Sequence, residues 1–167
     1  NLTFVIIILQ FNTMENKLGL TDEQLILRDT VRKFAEEKIR HVAQELDEKE
    51  EFSYELTKEM AEMGFLGCFL PEEFGGSNLD YLSYIIIVEE LARVDSSQAA
   101  TIAAHNSLGA GPIFYFGNEE QKRKYLPKLA SVYLWGFGLT EPEAGSDAGN
   151  TKTTAIKQGS NWIINGT

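Results

Sequence analysis

The sequence predicts a mainly α-helical bundle followed by the first strands of a β-barrel domain. Apolar residues recur at three- and four-residue spacing from Thr21 to Leu129, which is the period of helices that bury one face. Capping side chains mark the starts of most of these helices. After Leu134 the chain changes to strand-like runs separated by loop and turn residues. Helices that all precede the strands favour separate helical and β parts over alternating units.

Residues that typically cap the start of a helix or terminate it predict the helix boundaries. Thr21 and Gln24 form a capping-box pattern, which predicts a long amphipathic helix ending near Glu48. The other predicted starts are Ser53, Asp80, Asp95 or Ser96, and Asn118. Gly64 is a predicted helix stop, and Gly109–Pro112 is predicted to break the helix rich in small residues that precedes it.

The β part begins with Leu134–Thr140, which is strand-like although its glycines weaken the pattern. Two more strands are predicted, over Thr151–Lys157 and from Trp162 onward, with a turn at Gln158–Asn161. Two strands alone are marginally stable, and the sequence stops in mid-sheet. We therefore expect an incomplete β-domain.

The amino-terminal residues differ in character from the rest of the chain. The run Phe4–Leu9 is apolar but much shorter than the ~20 residues of a membrane helix. It has no basic residue before it and no small-residue cleavage site after it, so it is a poor signal peptide. We interpret 1–13 as a non-native extension ahead of Met14, with an extra edge strand or a sticky tail as the alternative. The remaining sequence divides into a helical domain over 14–131 and the beginning of a middle β-domain over 132–167.

Charge and cysteine content narrow the classes of partner. The 25 acidic and 15 basic residues give a formal net charge of −10, and such a surface repels phosphate backbones and anionic lipid. We therefore expect neither nucleic acid nor a membrane surface as a partner.

The single cysteine, Cys68, cannot form an internal disulfide, which indicates a reducing compartment: the cytoplasm, or the mitochondrial matrix in a eukaryote. His41 and His105 have no partner at ligand spacing, so no metal site is predicted.

The segment Phe137–Asp147 carries the clearest chemical signal. A strand is predicted to end at Thr140, and Pro142 then forces a sharp exit, while Gly145 lets the backbone approach a ligand closely. Successive N–H groups of the turn, with the hydroxyls of Thr140 and Ser146, can bind a phosphate or a polar heterocycle. A plain loop between two strands explains the same residues, and the pattern alone does not decide between the two.

From Met14 to Thr167 the sequence resembles the acyl-CoA dehydrogenase family. The motifs that carry the resemblance are Pro71–Gly76, Glu89–Arg93, Gly117–Lys122 with Tyr125–Pro127, and Leu139–Pro142 followed by Ala144–Asp147. They occur in the family's order over nearly the whole chain, which makes the match specific. Two positions depart from the family. Asn78 replaces a usual glycine, and asparagine tolerates positive φ; Leu129–Leu134 is one residue short, which leaves its local geometry open.

The resemblance implies a helical amino-terminal domain, a middle β-domain and a carboxy-terminal four-helix domain, with FAD between the β-domain and the helices. It implies FAD contacts for Phe137, Gly138, Leu139, Thr140, Glu141, Pro142, Glu143, Ala144, Gly145 and Ser146. Thr140 would hydrogen-bond the flavin, and Ser146 would touch both FAD and the acyl-CoA substrate. The implied reaction removes the α proton of the thioester and transfers the β hydride to flavin N5. Its product is a trans-2-enoyl-CoA, its electrons pass to an electron-transferring flavoprotein, and the usual assembly is a homotetramer.

The resemblance places the catalytic base, a glutamate, in the carboxy-terminal domain. No catalytic residue is therefore predicted in this chain, and we expect the 167 residues alone to lack turnover. We predict structural roles for the other noticeable side chains. Glu89 and Glu90 are expected to be solvated or salt-bridged, and Cys68 is expected to be buried. His105 is expected in the core or at a helix end, and Trp135 and Phe137 are expected to be core aromatics.

Two alternative functions remain open on the sequence alone. An acyl-CoA oxidase or a flavin monooxygenase of the same fold would differ in its electron acceptor, which these residues do not reveal. A helical binding or assembly module would have no catalysis of its own. The acyl chain length is not encoded in this part of the sequence either.

Overall fold

The computed structural model describes residues 19–131 and 133–167, and within them it is mostly helical. The α-helices are α1 (Asp22–Phe34), α2 (Arg40–Lys49), α3 (Tyr54–Glu62), α4 (Tyr81–Ala92), α5 (Ser96–Ala104), α6 (Gly111–Phe116) and α7 (Glu119–Leu129). Two π-helical segments, Ala35–Ile39 and His105–Ala110, join α1 to α2 and α5 to α6. The prediction of a non-native extension over 1–13 falls outside the described residues.

The predicted helix starts are confirmed at each capping residue. Thr21 and Gln24 exchange hydrogen bonds as a capping box, and Asn118 does the same with Gln121. The other N-caps are Ser53, Asp80 and Asp95. The predicted stop is also confirmed, because Gly64 adopts a left-handed conformation with φ 78° directly after α3.

The predicted long first helix exists, but a π-helical turn interrupts it. The core residues Phe34 and Ile39 are five positions apart, which on an ideal α-helix would rotate them about 140° away from each other. The wider turn Ala35–Ile39 compensates for that offset, and both side chains are buried. The five-residue step between these two apolar residues thus indicates a π turn, whereas we predicted a regular helix from the same residues.

The main core lies where α1 and α5 pack against α4, with α3 covering one end. Burial of these apolar faces is the main favourable contribution to folding of this unit. Its fully buried side chains include Val31, Ile39, Met60, Leu66, Ile87, Leu91 and Ile102. The helix α4 lies between α1 and α5 in this core, and two of its apolar side chains, Leu82 and Ile85, are exposed.

The predicted break at Gly109–Pro112 is wrong, because the chain stays helical from Ser96 to Phe116. The π-helical turn His105–Ala110 passes directly into α6, where Pro112 occupies the first turn. A proline at that position costs the helix little stability, since the first amides of a helix have no hydrogen-bond partner within it and the missing N–H of proline is not needed. The helix ends instead at Gly117.

A second, smaller compact unit, Gly136–Thr167, contains the strands. The strands β1 (Thr154–Gln158) and β2 (Asn161–Asn165) pair antiparallel through a two-residue loop. Its first residue, Gly159, has φ 61°, as two-residue hairpin loops favour. The predicted fold class, a helical bundle followed by the first strands of a β-domain, is confirmed.

The predicted strand at Leu134–Thr140 is wrong within the part of the chain that the structure describes. These residues form no strand and pair with no other described backbone. A strand needs a neighbour to accept and donate its hydrogen bonds, and the β1–β2 hairpin does not provide one here.

Candidate functional site

The predicted ligand loop is built on a tight turn. Glu141 N–H donates to the Ala144 carbonyl over 3.0 Å, and Ala144 N–H donates back to the Glu141 carbonyl over 3.1 Å. Pro142 and Glu143 lie between them, and proline at this position restricts φ to the value that a turn requires. The sharp exit predicted from Pro142 is therefore present.

The backbone that leads into this turn is free. Over Gly136–Thr140, no N–H or carbonyl forms a hydrogen bond to any residue in 19–131 or 133–167. A Cβ added to Gly136, Gly138 or Gly145 would meet no atom within 4 Å. Packing among the described residues therefore does not explain these glycines, whereas close approach of a ligand or of another backbone would.

The two hydroxyls predicted to face the ligand are exposed. Neither the Thr140 nor the Ser146 side chain hydrogen-bonds to another described residue. Both stand on the same short segment as the free amides of Gly136–Thr140. Together they offer donors and acceptors to a polar heterocycle or a phosphate.

The Glu141 carboxylate ties the turn to the start of the hairpin. It accepts hydrogen bonds from the backbone amides of Lys152 and of Thr153, the latter at 3.0 Å. Hydrogen bonding from the Thr153 side chain first, and then from the Lys152 and Thr153 backbone amides, lowers the pKa of Glu141. Thr153 in turn lies against Gly166, where an added Cβ would overlap its side chain. Glu141 thus has a structural role in the loop that the sequence pattern did not predict.

The helical unit ends at Trp135, which is held by the π-helical turn His105–Ala110. Trp135 N–H donates to His105 Nδ1 over 3.1 Å. Its ring lies 5.4 Å from the Tyr125 ring, centroid to centroid. Trp135 was predicted to be a core aromatic, but its relative exposure is 36%, and that of Phe137 is 51%, so this prediction is wrong for both.

His105 is buried, as predicted, and its hydrogen bonds with Trp135 and Leu129 indicate its tautomer. A backbone N–H can only donate, so Nδ1 accepts from Trp135 and carries no proton. The Leu129 carbonyl can only accept, so Nε2, at 2.9 Å, carries the proton and donates. Burial lowers the pKa of His105, which favours this neutral form.

Other side chains singled out in the sequence have structural roles. Cys68 is fully buried, and its thiol donates to Asn106 Oδ1 at 3.5 Å. Asn106 Nδ2 donates to two backbone carbonyls, so the side chain bridges neighbouring segments of the core. Glu90 is buried and paired with arginines, while Glu89 is exposed, which confirms the prediction that these side chains are salt-bridged or solvated.

Metal clusters and membrane-spanning helices are both absent from the described residues. No group of three or more His, Cys, Asp or Glu side chains is placed to hold a metal ion there. No helix in the described ranges has the length and apolar character needed to cross a bilayer.

The residues present fit a flavin. An isoalloxazine ring has carbonyl and N–H groups along one edge, and it needs complementary hydrogen-bonding groups that are not already paired. The free backbone of Gly136–Thr140, the Thr140 and Ser146 hydroxyls and the unexplained glycines meet that requirement. Sequence reasoning found this loop, but it did not predict the hydrogen bond between His105 and Trp135 or that between Glu141 and Thr153, which join positions 30 and 12 residues apart in the chain.

Comparisons with known proteins agree on one family. Residues 21–132 match the family described as "Acyl-CoA dehydrogenase, N-terminal domain". An acyl-CoA dehydrogenase of Bacillus subtilis is 43% identical over 150 residues, which cover 89% of this chain and 40% of that protein. The chain thus spans about two-fifths of the length of the curated relatives it matches.

Solved structures give the same result. Butyryl-CoA dehydrogenase from Megasphaera elsdenii superposes with a TM-score of 0.81 at 41% identity, covering 88% of this chain and 40% of that one. A chain in a structure of the electron-transferring flavoprotein of Acidaminococcus fermentans gives a TM-score of 0.85 at 44% identity, covering 88% of this chain and 39% of that one. With a family match over most of its length and this helical architecture, the chain belongs to the acyl-CoA dehydrogenase family, a family of flavoprotein oxidoreductases.

Proposed function

We propose that the protein is an FAD-dependent acyl-CoA dehydrogenase that converts an acyl-CoA thioester into the trans-2-enoyl-CoA. The α proton beside a thioester is weakly acidic, so its removal needs a carboxylate base and polarisation of the thioester carbonyl. FAD, when bound, supplies the acceptor for the β hydride. The residues of this chain bind and orient the cofactor and contribute a substrate contact.

The observation that carries the proposal is the free backbone of Gly136–Thr140 next to two exposed hydroxyls. In the proposed site, residues from Phe137 to Ser146 contact FAD, Thr140 hydrogen-bonds the flavin, and Ser146 reaches both FAD and the acyl-CoA. The Glu141 carboxylate stabilises the turn by accepting hydrogen bonds from the Lys152 and Thr153 amides. Because the turn is already formed, FAD would not have to order it on binding.

We assign no catalytic base within these 167 residues. Glu90 is fully engaged with Arg32 and Arg93, and Glu89 is an exposed side chain on the surface of α4. The base is proposed to come from a glutamate outside this chain, so the 167 residues alone should give no turnover.

The proposed partners follow from the same reaction. Reduced FAD must pass its electrons on, and we propose an electron-transferring flavoprotein as the acceptor. The likeness to a chain in the Acidaminococcus fermentans electron-transferring flavoprotein structure supports this acceptor over oxygen. We further propose a homotetramer working in a reducing compartment, the cytoplasm or, in a eukaryote, the mitochondrial matrix, where the single buried thiol of Cys68 stays reduced.

FAD binding tests the proposal at the site. The wild-type protein, expressed from its complete coding sequence, is expected to purify yellow or to take up FAD with quenching of flavin fluorescence. Thr140→Val removes one hydrogen-bonding hydroxyl, and we expect about fivefold weaker FAD binding. The matched control is Thr151→Val, because Thr151 is also exposed but lies outside the proposed contact segment.

Two outcomes separate the proposal from its alternatives. If the wild type neither contains nor takes up FAD, the proposal is wrong and a binding or assembly module is favoured. If FAD binds and butyryl-CoA is oxidised only with consumption of oxygen, without an added carrier, the protein is an oxidase. Enoyl-CoA formation that requires an electron-transferring flavoprotein or an artificial acceptor supports the dehydrogenase.

A further inference from the structure

Trp135 is the last residue held by the helical unit before the proposed flavin segment begins. Its N–H donates to Nδ1 of His105 over 3.1 Å, and the relative exposure of His105 is only 1%. A buried, tautomer-defined acceptor is a rigid point of attachment, because the ring is also held at Nε2 by the Leu129 carbonyl. The hydrogen bond therefore fixes Trp135 relative to α5 and α7.

The backbone of Gly109 makes room for this attachment. A Cβ at position 109 would lie 2.9 Å from both the Cβ and the carbonyl oxygen of Trp135. Any side chain there would push Trp135 away from His105, which sits four residues earlier on the same π-helical turn. We call His105 and Gly109 the Trp135 notch. In the notch, the π-helical turn places the acceptor, His105 Nδ1, and the open space beside Gly109 on the same side of the helix.

No comparable attachment exists over the next five residues. Gly136–Thr140 forms no hydrogen bond to the rest of the described chain, and the next fixed point is the turn closed by Glu141 and Ala144. The free amides that would receive the flavin thus lie between Trp135 and this turn. They follow Trp135 directly in the chain, and each residue spans at most about 3.6 Å.

We propose that His105 is a positioning residue for the flavin: through Nδ1 it holds Trp135 and thereby sets the start of the flavin-binding segment. The inference rests on the proposed function, because it assigns His105 a role toward FAD. His105 does not touch the cofactor in this scheme. It acts through Trp135, and Gly109 keeps the path between them open.

The two ring nitrogens allow this role to be separated from a purely structural one. In His105→Gln the side-chain amide reaches the position of Nε2, so the donor to Leu129 is kept and the acceptor for Trp135 is lost. In His105→Asn the shorter side chain places its amide oxygen near Nδ1, so the acceptor for Trp135 is kept and the donor to Leu129 is lost. Both variants remove the ring, and asparagine is the smaller of the two side chains, so better Trp135 attachment in His105→Asn than in His105→Gln cannot come from packing.

The experiment measures two quantities on the wild type and both variants, with the complete protein. The first is hydrogen–deuterium exchange of the Trp135 amide, resolved from its neighbours by fragmentation in the mass spectrometer. The second is the dissociation constant for FAD. We expect His105→Gln to accelerate Trp135 exchange and to weaken FAD binding, each by about tenfold, and His105→Asn to restore both toward wild type. The Ala130 amide, bonded to Leu126, is the internal reference for α7.

Each result decides the question. If Trp135 exchange is the same in His105→Gln and wild type, the proposed attachment is wrong. If exchange accelerates but FAD affinity does not change, His105 holds Trp135 without positioning the flavin, and the proposal is overturned. If His105→Asn is as impaired as His105→Gln, an acceptor at the position of Nδ1 does not hold Trp135, and the proposal is overturned. If the wild type binds no FAD, the proposed function itself fails, while Trp135 exchange still reports on the hydrogen bond.

Discussion

Glu90 accepts two parallel hydrogen bonds from Arg32, each over 2.9 Å, and this pair joins α4 to α1. The Glu90 side chain is 4% exposed and that of Arg32 is 36% exposed, so the pair sits where the two helices meet the solvent. Arg93 adds a third hydrogen bond over 3.0 Å. Bidentate pairing of this kind is stronger and more directional than an ordinary surface ion pair, and it fixes how the two helices pack.

Replacing Glu90 should therefore destabilise the helical unit. Glu90→Ala removes the acceptor of three charged hydrogen bonds, and we expect the free energy of unfolding to fall by about 2 kcal/mol. The partial exposure of Arg32 limits the loss, because water can hydrate its guanidinium in place of Glu90. Urea unfolding followed by circular dichroism measures the difference. Glu89→Ala is the matched control, since Glu89 is exposed and its loss should change stability by no more than about 0.5 kcal/mol.

The contribution of Glu90 should also depend on pH. Burial raises the pKa of Glu90, but the hydrogen bonds and charges of Arg32 and Arg93 outweigh it, and the net pKa is below the ordinary value of 4.5. A carboxyl whose pKa is lowered by folding stabilises the folded state above its ordinary pKa. That stabilisation is lost as the pH falls through the lowered pKa. The stability difference between wild type and Glu90→Gln should thus be constant from neutral pH to about pH 5 and shrink below it. A difference that grows on acidification would contradict the assignment.

Asn78 occupies a left-handed backbone conformation with φ 51°, and its N–H donates to the Leu70 carbonyl over 2.9 Å. Asparagine and glycine adopt this conformation easily, whereas β-branched residues do not. We expect Asn78→Val to lower the free energy of unfolding by about 1–2 kcal/mol and Asn78→Gly to change it by less than about 0.5 kcal/mol. Thermal unfolding of the two variants tests this. Equal loss in both would show that the Asn78 side chain, and not its backbone, is what matters.

Local chemistry explains which parts of the fold could be predicted from the sequence. Helix caps such as Thr21 and Asn118 act on amides three residues away, and the positive φ expected at Asn78 is a property of one residue. Both kinds of feature are readable without knowing the rest of the chain. The π-helical turn could also have been predicted, because Phe34 and Ile39 are separated by a five-residue step. We interpreted that step as part of a regular α-helix.

Predictions failed where the outcome depends on distant partners. Leu134–Thr140 has the composition of a strand, yet a strand forms only when another backbone pairs with it, and no described residue does. Trp135 and Phe137 were predicted to be core aromatics, but burial likewise needs a covering surface. The notch that holds Trp135 joins positions 30 residues apart, and no spacing rule connects them.

The Glu141 carboxylate should be required for the shape of the loop. It accepts hydrogen bonds from the Lys152 and Thr153 amides. Hydrogen bonding from the Thr153 side chain and from these amides lowers the pKa of Glu141. In Glu141→Gln the charge is lost and the amide offers a single acceptor oxygen, so we expect the Lys152 and Thr153 amides to exchange with solvent faster. Glu143→Gln is the control, because Glu143 is an exposed neighbour on the same turn. Unchanged exchange at both amides in Glu141→Gln would refute this role.

The Cys68 thiol should be unreactive as long as the helical unit is folded. It is fully buried, and burial raises its pKa to about 12 from 9.0, so almost no thiolate exists near pH 8. Because the raised pKa belongs to the folded state, ionisation costs stability only as the pH rises from about 9 towards 12. The 167-residue chain contains a single cysteine, so reaction with a chromogenic disulfide reagent reports on this site alone. We expect reaction at the rate of unfolding in native buffer and within the mixing time in guanidinium chloride; fast labelling with the helical circular dichroism intact would show that the thiol is accessible in the folded chain.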